Sequence, residues 1–378
     1  MKIGNFDFRE YAAKKPLTIT PAGEFLTANE IATQPALSLG SLFTLDTDQQ
    51  LKLALERYAL EPDFRLGIIG VGLLTKDEVI EHLQRRTEFG RLALRAEIGY
   101  CNELIAELAA DVRPNWPPIP EPPFPPIPDW HYKKRCIWLK LTNRVLFCEN
   151  TTDSVTRPFA EYRIANVHKA FQDQGFNVIA LQGPDDVRAN FVPHAKNPLT
   201  VYVSGVGHGS YTCYTGHWSD RILEVGQYDP AEVRNKAFHF LSCQTGRDLG
   251  PDTVANAAKC YAGYTENFIL QWDDGSTPAV DEFKLFAQSD STYDIMMAHG
   301  ATAQEAYDAT IQAFNAARAQ VPNTVAATYL TWDRDHLRLH GEEETKLKPY
   351  RTVRVCFPIP VFNQEDALVN AGEVVDSD

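Results

Sequence analysis

The chain has 378 residues and a formal net charge of −14. Its length allows two domains or one large one, and its acidic charge argues against a nucleic-acid-binding protein, which needs a dense basic face. No apolar run is long enough to span a bilayer, and the first twenty residues contain no secretory signal. Seven scattered cysteines without CxxC spacing are typical of reduced thiols, so we expect a cytoplasmic protein that does not bind a membrane.

The N-terminal part has the apolar periodicity of helices. Apolar residues recur at three- and four-residue steps in 48–60 and 79–112, and Thr75 with Glu78 has the spacing of a capping box. Between these segments, GIIGVG (67–72) lacks the spacing of a nucleotide-binding loop and predicts a turn. We therefore expect residues 1–113 to form a helical accessory or regulatory domain.

A proline-rich stretch follows this part. Residues 114–128 read PNWPPIPEPPFPPIP, and proline excludes a helix or a central strand because it lacks an amide hydrogen and fixes φ. The stretch predicts an extended linker over 114–129 and a second domain over 130–378. The linker or the N-terminal domain is a candidate binding site for a regulatory protein partner.

The second domain alternates short apolar strands with helices. Such a pattern is typical of an α/β fold, with a mostly parallel sheet flanked by helices. Ligands bind such sheets beyond the carboxyl ends of the strands, and His208 and Cys243 each follow a predicted strand there. The predicted strands are RVLFC (144–148), NVIALQ (177–182), LTVYVSGV (199–206), AFHFLS (237–242) and CYAGYTENFIL (260–270).

A histidine and a cysteine at neighbouring strand ends can form a catalytic dyad. The thiolate is the nucleophile, and a nearby imidazole takes the thiol proton and later protonates the leaving group. Gly209 lets a substrate backbone approach closely. The backbone amides of Gly209 and Cys243 are the candidate donors to a developing oxyanion.

Several motifs carry a resemblance to a known family. HGS (208–210), LSCQTG (241–246) and YAGYTENFIL (261–270) resemble the cysteine peptidases of the caspase–haemoglobinase fold, clan CD. LSCQTG and the segment 215–233 are most similar to its CHAT and gingipain-like members. The resemblance covers about residues 130–320. It implies cleavage of protein substrates by a His208/Cys243 dyad, without a metal or other cofactor.

The resemblance also suggests where the pocket for the residue before the scissile bond (P1) lies. In this clan the pocket draws on the loop after the first strand, which contains Asp153 and Arg157, and on the last strands, near Glu266, Asp273 and Asp274. An acid in the pocket would select Arg or Lys, whereas an arginine would select Asp or Glu. The CHAT and gingipain likeness favours an acid, so we expect a basic P1 residue. A caspase-like, Asp-specific peptidase built on Arg157 is the alternative.

Two further interpretations remain open. The first is a catalytically silent interaction module on the same fold, although silent relatives tend to lose the histidine or the cysteine and this chain keeps both. The second is a zinc enzyme with His208, Cys213, His217 and Cys243 as ligands, although this set lacks the usual CxxC or HxxxH core.

Overall fold

A computed structural model describes most of the chain. The described residues are 1–20, 22–33, 45–69, 71–109, 136–272 and 280–356. The predicted linker over 114–129 lies outside them, as do Asp273 and Asp274. Within the described ranges, none of the helices combines the length and the apolar character that a membrane crossing requires.

The N-terminal part contains strands as well as helices. This corrects the prediction of a purely helical segment. Its elements are β1 (Lys2–Ile3), β2 (Phe6–Asp7), α1 (Glu10–Lys14), β3 (Pro16–Ile19), β4 (Phe25–Thr27), α2 (Ala28–Thr33), α3 (Thr47–Leu60), β5 (Arg65–Ile68), β6 (Gly72–Thr75), α4 (Lys76–Gln84) and α5 (Glu88–Ala109).

The predicted capping box of Thr75 and Glu78 is confirmed, and one predicted turn is confirmed only in part. The Asp46 carboxylate caps α3, and Thr75 with Glu78 forms the capping box of α4. Residues 67–72 were predicted as a turn. Gly67, Ile68 and Gly72 belong to the antiparallel hairpin of β5 and β6, which we call the N-terminal hairpin, whereas Ile69 and Val71 lie in the turn between these strands.

The second part contains the larger sheet and most of the remaining helices. Its elements are β7 (Cys136–Thr142), β8 (Arg144–Glu149), α6 (Thr156–Arg163), α7 (Lys169–Asp173), β9 (Asn177–Gln182), α8 (Arg188–Ala195), β10 (Thr200–Val206), β11 (His208–Gly209), β12 (Cys213–Thr215), β13 (Arg221–Glu224), α9 (Pro230–Val233), β14 (Ala237–Leu241), α10 (Leu249–Ala255), β15 (Cys260–Tyr264), β16 (Ile269–Trp272), α11 (Val280–Ala298), α12 (Ala303–Gln320), α13 (Val325–His336), β17 (Leu337–Gly341) and β18 (Tyr350–Cys356). A π-helical turn, Ile164–His168, joins α6 to α7.

The central sheet confirms the predicted α/β class. Its six strands have the order β17-β15-β14-β10-β8-β9, and all are parallel except β17. Side chains alternate between the two faces of a strand. On β8, Val145 and Phe147 pack into one apolar cluster, whereas Leu146 and Cys148 pack into another. The sheet is thus buried on both faces, as a strand–helix alternation requires.

The N-terminal part shares an apolar core with the second part. Tyr58 on α3 lies 3.0 Å, hydroxyl to hydroxyl, from Tyr329 on α13. The buried guanidinium of Arg57 donates to the Glu97 carboxylate at 2.6 Å and to Asn323 Oδ1 at 2.7 Å. The boundary between domains 1–113 and 130–378 stays a prediction, and the described residues on its two sides pack into one hydrophobic cluster.

Candidate active site

The two residues of the predicted dyad lie at the carboxyl ends of neighbouring parallel strands in the central sheet. We call this end of the sheet the carboxyl edge. In the pairing of β10 with β14, Val206 is opposite Leu241, so His208 and Cys243 each lie two residues beyond that pair. The loops touch at Gly209, where a Cβ atom would overlap the carbonyl oxygen of Cys243. The close approach of the two loops therefore requires glycine at position 209. His208 and Cys243 lie at the same end of the sheet.

Asp153 holds the imidazole of His208. Its Oδ2 lies 2.9 Å from His208 Nε2. The amides of Val155 and Thr156 donate to Asp153 Oδ1 at 2.8 and 3.0 Å, and the Thr156 hydroxyl donates to Oδ2 at 2.8 Å. Burial raises the pKa of Asp153, but the contacts with His208 and Thr156 outweigh it and hold the pKa well below its ordinary value. An ionised carboxylate on Nε2 fixes the ring and favours a proton on that nitrogen.

The other ring nitrogen of His208 is available for proton transfer. Nδ1 is buried and has no hydrogen-bond partner among the described residues. With the proton on Nε2, Nδ1 carries a free lone pair and can act as a base. Asp153 was a candidate for the P1 pocket; its carboxylate contacts His208, and a role in the pocket stays a prediction. The sequence signal for this contact was a carboxylate in the loop after β8, where the carboxyl ends of the parallel strands lie.

Cys243 is covered and protonated in this arrangement. Its side chain is 3% exposed, and its thiol donates a hydrogen bond to the Ile69 carbonyl oxygen at 2.7 Å. Burial raises the pKa of Cys243 to about 12; the Phe268 backbone opposes this rise and Asp333 adds to it. Among the hydrogen bonds of the described residues, none joins the thiol to His208. We call this arrangement, in which the thiol is covered and bonded to Ile69, the closed state.

The N-terminal hairpin is what covers the thiol. Its strand β5 pairs antiparallel with β16, with Ile68 opposite Ile269. Beyond the paired residues, the Ile69 amide donates to the Phe268 carbonyl at 3.4 Å, and the Ile69 carbonyl reaches Cys243. Ile68 and Ile69 are buried. Residues 65–69 therefore lie along β16 as an added strand that ends on the candidate nucleophile.

Some of the other predicted site residues lie beside Cys243, and others lie farther away on the surface. The Glu266 carbonyl accepts from the Gln244 amide at 3.1 Å, so Glu266 lies beside the Cys243 loop. Arg157 is exposed on α6, and its Nε donates to the Thr151 carbonyl at 3.0 Å. Gly209 and Cys243 both lie at the edge, and the oxyanion role of their amides stays a prediction.

The structure does not bring together the four residues of the zinc alternative as a ligand group. Among the described residues, the grouped side chains that could hold a metal ion are His239, Asp290 and Asp294. Asp294 already accepts from the Arg163 guanidinium at 2.8 Å. Burial lowers the pKa of His239, but the carboxylates of Asp294 and Asp290 outweigh it and raise the pKa to about 9. Two cations thus already compensate these carboxylates, which favours a buried ion-pair cluster over a metal centre.

Comparisons with known proteins give structural similarity alone. No protein-family model and no curated protein matches the chain. One similar solved structure is the complex of Porphyromonas gingivalis RgpB pro- and mature domains, with 9% identity and a TM-score of 0.37. Another is the Arg-specific cysteine proteinase gingipain R (RGPB), with 9% identity and a TM-score of 0.36. Each match covers 55% of this chain and 48% of the other, so the chain spans about half the length of these structures.

Proposed function

We propose that this protein is a cysteine peptidase with Cys243 as nucleophile, His208 as general base and acid, and Asp153 as the residue that positions His208. The observation that carries this proposal is the extended strand 65–69, which pairs with β16 and places a peptide carbonyl 2.7 Å from Cys243 Sγ. A peptide substrate added to the edge of β16 would take the same course. Its scissile carbonyl would then lie against the thiol, within reach of attack.

The residues at this edge can perform the reaction in two steps. His208 Nδ1 takes the proton from Cys243, and the sulfur attacks the substrate carbonyl carbon. The C–N bond breaks, the amine leaves with the proton from His208, and the acyl group stays on sulfur as a thioester. A water molecule, deprotonated by His208, then hydrolyses the thioester and restores the thiol. The amides of Gly209 and Cys243 are the proposed donors to the oxyanion in both steps.

The same strand keeps the enzyme inactive in this proposal. While the Cys243 thiol donates to Ile69, its proton is not passed to His208 and the nucleophile does not form. The buried strand also occupies the edge that a substrate would use. We therefore propose that the N-terminal hairpin must leave β16 before peptides are cleaved. A protein partner that binds the N-terminal part is one means of displacing it.

The choice of P1 residue has two competing proposals. The sequence favours Arg or Lys, selected by an acid. Asp153 is engaged with His208, so Asp273 and Asp274 remain as the predicted acids. The hairpin instead presents Ile69 at the acyl position, and this side chain belongs to an apolar cluster that also contains Tyr264 and Phe268. That packing supports an apolar P1 residue, which we adopt as the expected outcome.

Comparing single substitutions in an opened enzyme tests the proposed activity. Ile69→Ala, which weakens the hairpin, provides the opened background, and hydrolysis of fluorogenic peptides is the readout. Adding Cys243→Ala or His208→Ala should abolish turnover. Adding Cys213→Ala, which removes another buried cysteine from the neighbouring strand β12, should leave turnover nearly unchanged.

Two results would contradict the peptidase proposal. Turnover that survives Cys243→Ala would assign the activity to another residue. No turnover in the opened enzyme, with Cys243 accessible to alkylation, would favour the catalytically silent interaction module.

A further inference from the structure

A basic pocket lies at the amino ends of the parallel strands, at the end of the central sheet opposite Cys243. It is lined where β8, β10, β14 and β15 begin, whereas the candidate active site lies where β10 and β14 end. Its volume is about 890 Å³, which is within the range of small-molecule sites. Seven of the chain's 36 Lys and Arg residues line this pocket, and its lining contains no Asp or Glu. These cations are Lys196, Arg234, Lys236, Lys259, Lys346, Lys348 and Arg351.

Most of this positive charge is uncompensated. Lys196 pairs with Asp229 at 2.8 Å, and Lys346 lies 3.9 Å from Glu305. In the part of the chain that the structure describes, the other five cations make no ion pair within 4 Å. Seven cations converge on one cavity in a chain whose net charge is −14. Because like charges repel, such a group is costly unless an anion neutralises it.

The walls of the pocket are tied together by the backbone. The Lys259 amide donates to the Lys236 carbonyl at 2.8 Å, and the Asn143 amide donates to the Pro349 carbonyl at 2.8 Å. The Asn143 side-chain amide donates to the Lys348 carbonyl at 2.9 Å. These bonds join segments that are distant in sequence, so the arrangement of cations is preformed.

One of the seven cations, Lys236, is buried. Lys236 is 3% exposed, and its ammonium donates to the carbonyls of Ala231 and Arg234, each at 3.1 Å. Burial lowers the pKa of Lys236 to about 8, an effect that Glu232 opposes and Arg234 reinforces. A bound anion would offset this cost of burying a charge.

From this convergence we propose that the pocket binds a small molecule that carries two or more phosphate groups. Phosphates match several separated cations better than a single carboxylate does, because each phosphate oxygen can accept a hydrogen bond from a different side chain. Five chain segments line the pocket, and its volume of about 890 Å³ suits a small ligand better than a long polyanion. The proposal stands on residues distinct from the proposed peptidase site, so it holds whether or not the chain cleaves peptides.

Calorimetric titration of the full chain with tripolyphosphate, in about 150 mM NaCl to screen weak surface attraction, tests this site. The test variant combines Arg234→Gln, Lys259→Gln and Lys348→Gln. A matched control removes three exposed cations elsewhere, with Arg85→Gln, Lys169→Gln and Arg221→Gln. We expect saturable binding with one site in the wild type and in the control. We expect affinity at least about tenfold weaker in the test variant.

Three results would overturn the proposal. One is the absence of saturable binding in the wild type, and another is equal loss of affinity in the test variant and the control. The third is tighter binding of a single-stranded oligonucleotide than of tripolyphosphate, with both lost in the test variant, because this would assign the surface to a polymer. Thermal unfolding of both variants checks that they fold, and all substituted side chains except Lys259 are exposed.

Discussion

Shortening Ile69 should release the N-terminal hairpin from the candidate nucleophile. The Ile69 side chain is 1% exposed, and its backbone joins both Phe268 and Cys243. Ile69→Ala keeps the backbone contacts and removes only buried apolar volume. The substitution therefore weakens the closed state without placing a charge or a bulky group near the site.

The size of the effect follows from the burial. Truncation of a buried isoleucine to alanine costs about 2–5 kcal/mol. If about 2 kcal/mol of this is specific to the closed state, the ratio of open to closed molecules rises about 30-fold, since 1.4 kcal/mol is a factor of ten. In the closed state Cys243 is 3% exposed, so iodoacetamide should reach the thiol only in open molecules. The alkylation rate of Cys243 should rise by a similar factor.

Alkylation by iodoacetamide, with mass spectrometry to locate the label, measures this rate. The matched control is Ile105→Ala, an equally buried isoleucine on α5 in the same cluster. It should destabilise the protein without accelerating the labelling of Cys243 to the same extent. Equal acceleration in both variants, or none in Ile69→Ala, would refute the idea that this hairpin controls access. Faster labelling without peptide hydrolysis would support the hairpin and contradict the peptidase.

Three other predictions concern the histidine, the substrate and the buried charges. Asp153→Asn in the opened enzyme should lower kcat by at least about tenfold, because a neutral amide no longer fixes the imidazole; unchanged kcat would show that Asp153 only caps α6. In a peptide panel, Ile and Leu at P1 should be cleaved faster than Arg, Lys or Asp, whereas faster cleavage after Arg or Lys would support the sequence-based choice. Because the pKa of His239 is raised to about 9 from 6.5, its ion pairs stabilise the fold fully below about pH 6.5, and this stabilisation should be lost as pH rises through 9. Denaturant unfolding from pH 7 to 10 should therefore show a smaller loss of stability in His239→Gln than in the wild type. Equal losses would contradict this assignment.

The sheet and the position of the dyad could be predicted because their signals are local. Apolar runs such as 237–242 identify strands, and parallel strands bring their carboxyl ends to one edge. Val206 and Leu241 are indeed paired in the structure, which places the residues that follow them together. The α/β class with its mostly parallel sheet is confirmed, whereas the caspase–haemoglobinase fold, the CHAT likeness and the cytoplasmic location stay predictions.

The hairpin could not be predicted because its partner is distant in sequence. Residues 65–68 pair with 269–272 across about 200 residues, and no local pattern encodes such a pairing. The glycines of GIIGVG also resemble a turn more than a strand, since glycine is depleted in strands. The contact between Asp153 and His208 was missed for a related reason. Its partners Thr156 and His208 belong to separate elements, and only the folded chain shows that both contact one carboxylate.

Removal of the hairpin would change accessibility and chemistry at the same time. The strand buries Cys243, and that burial is the largest cause of its raised pKa. When the strand leaves, water replaces an apolar environment and a carbonyl acceptor, and this change favours the thiolate. Asp153 holds the His208 ring by a contact that does not involve the hairpin, so we expect the imidazole to keep its position when the strand leaves. The proposed peptidase therefore needs one conformational step to admit a substrate strand to β16 and to expose the thiol.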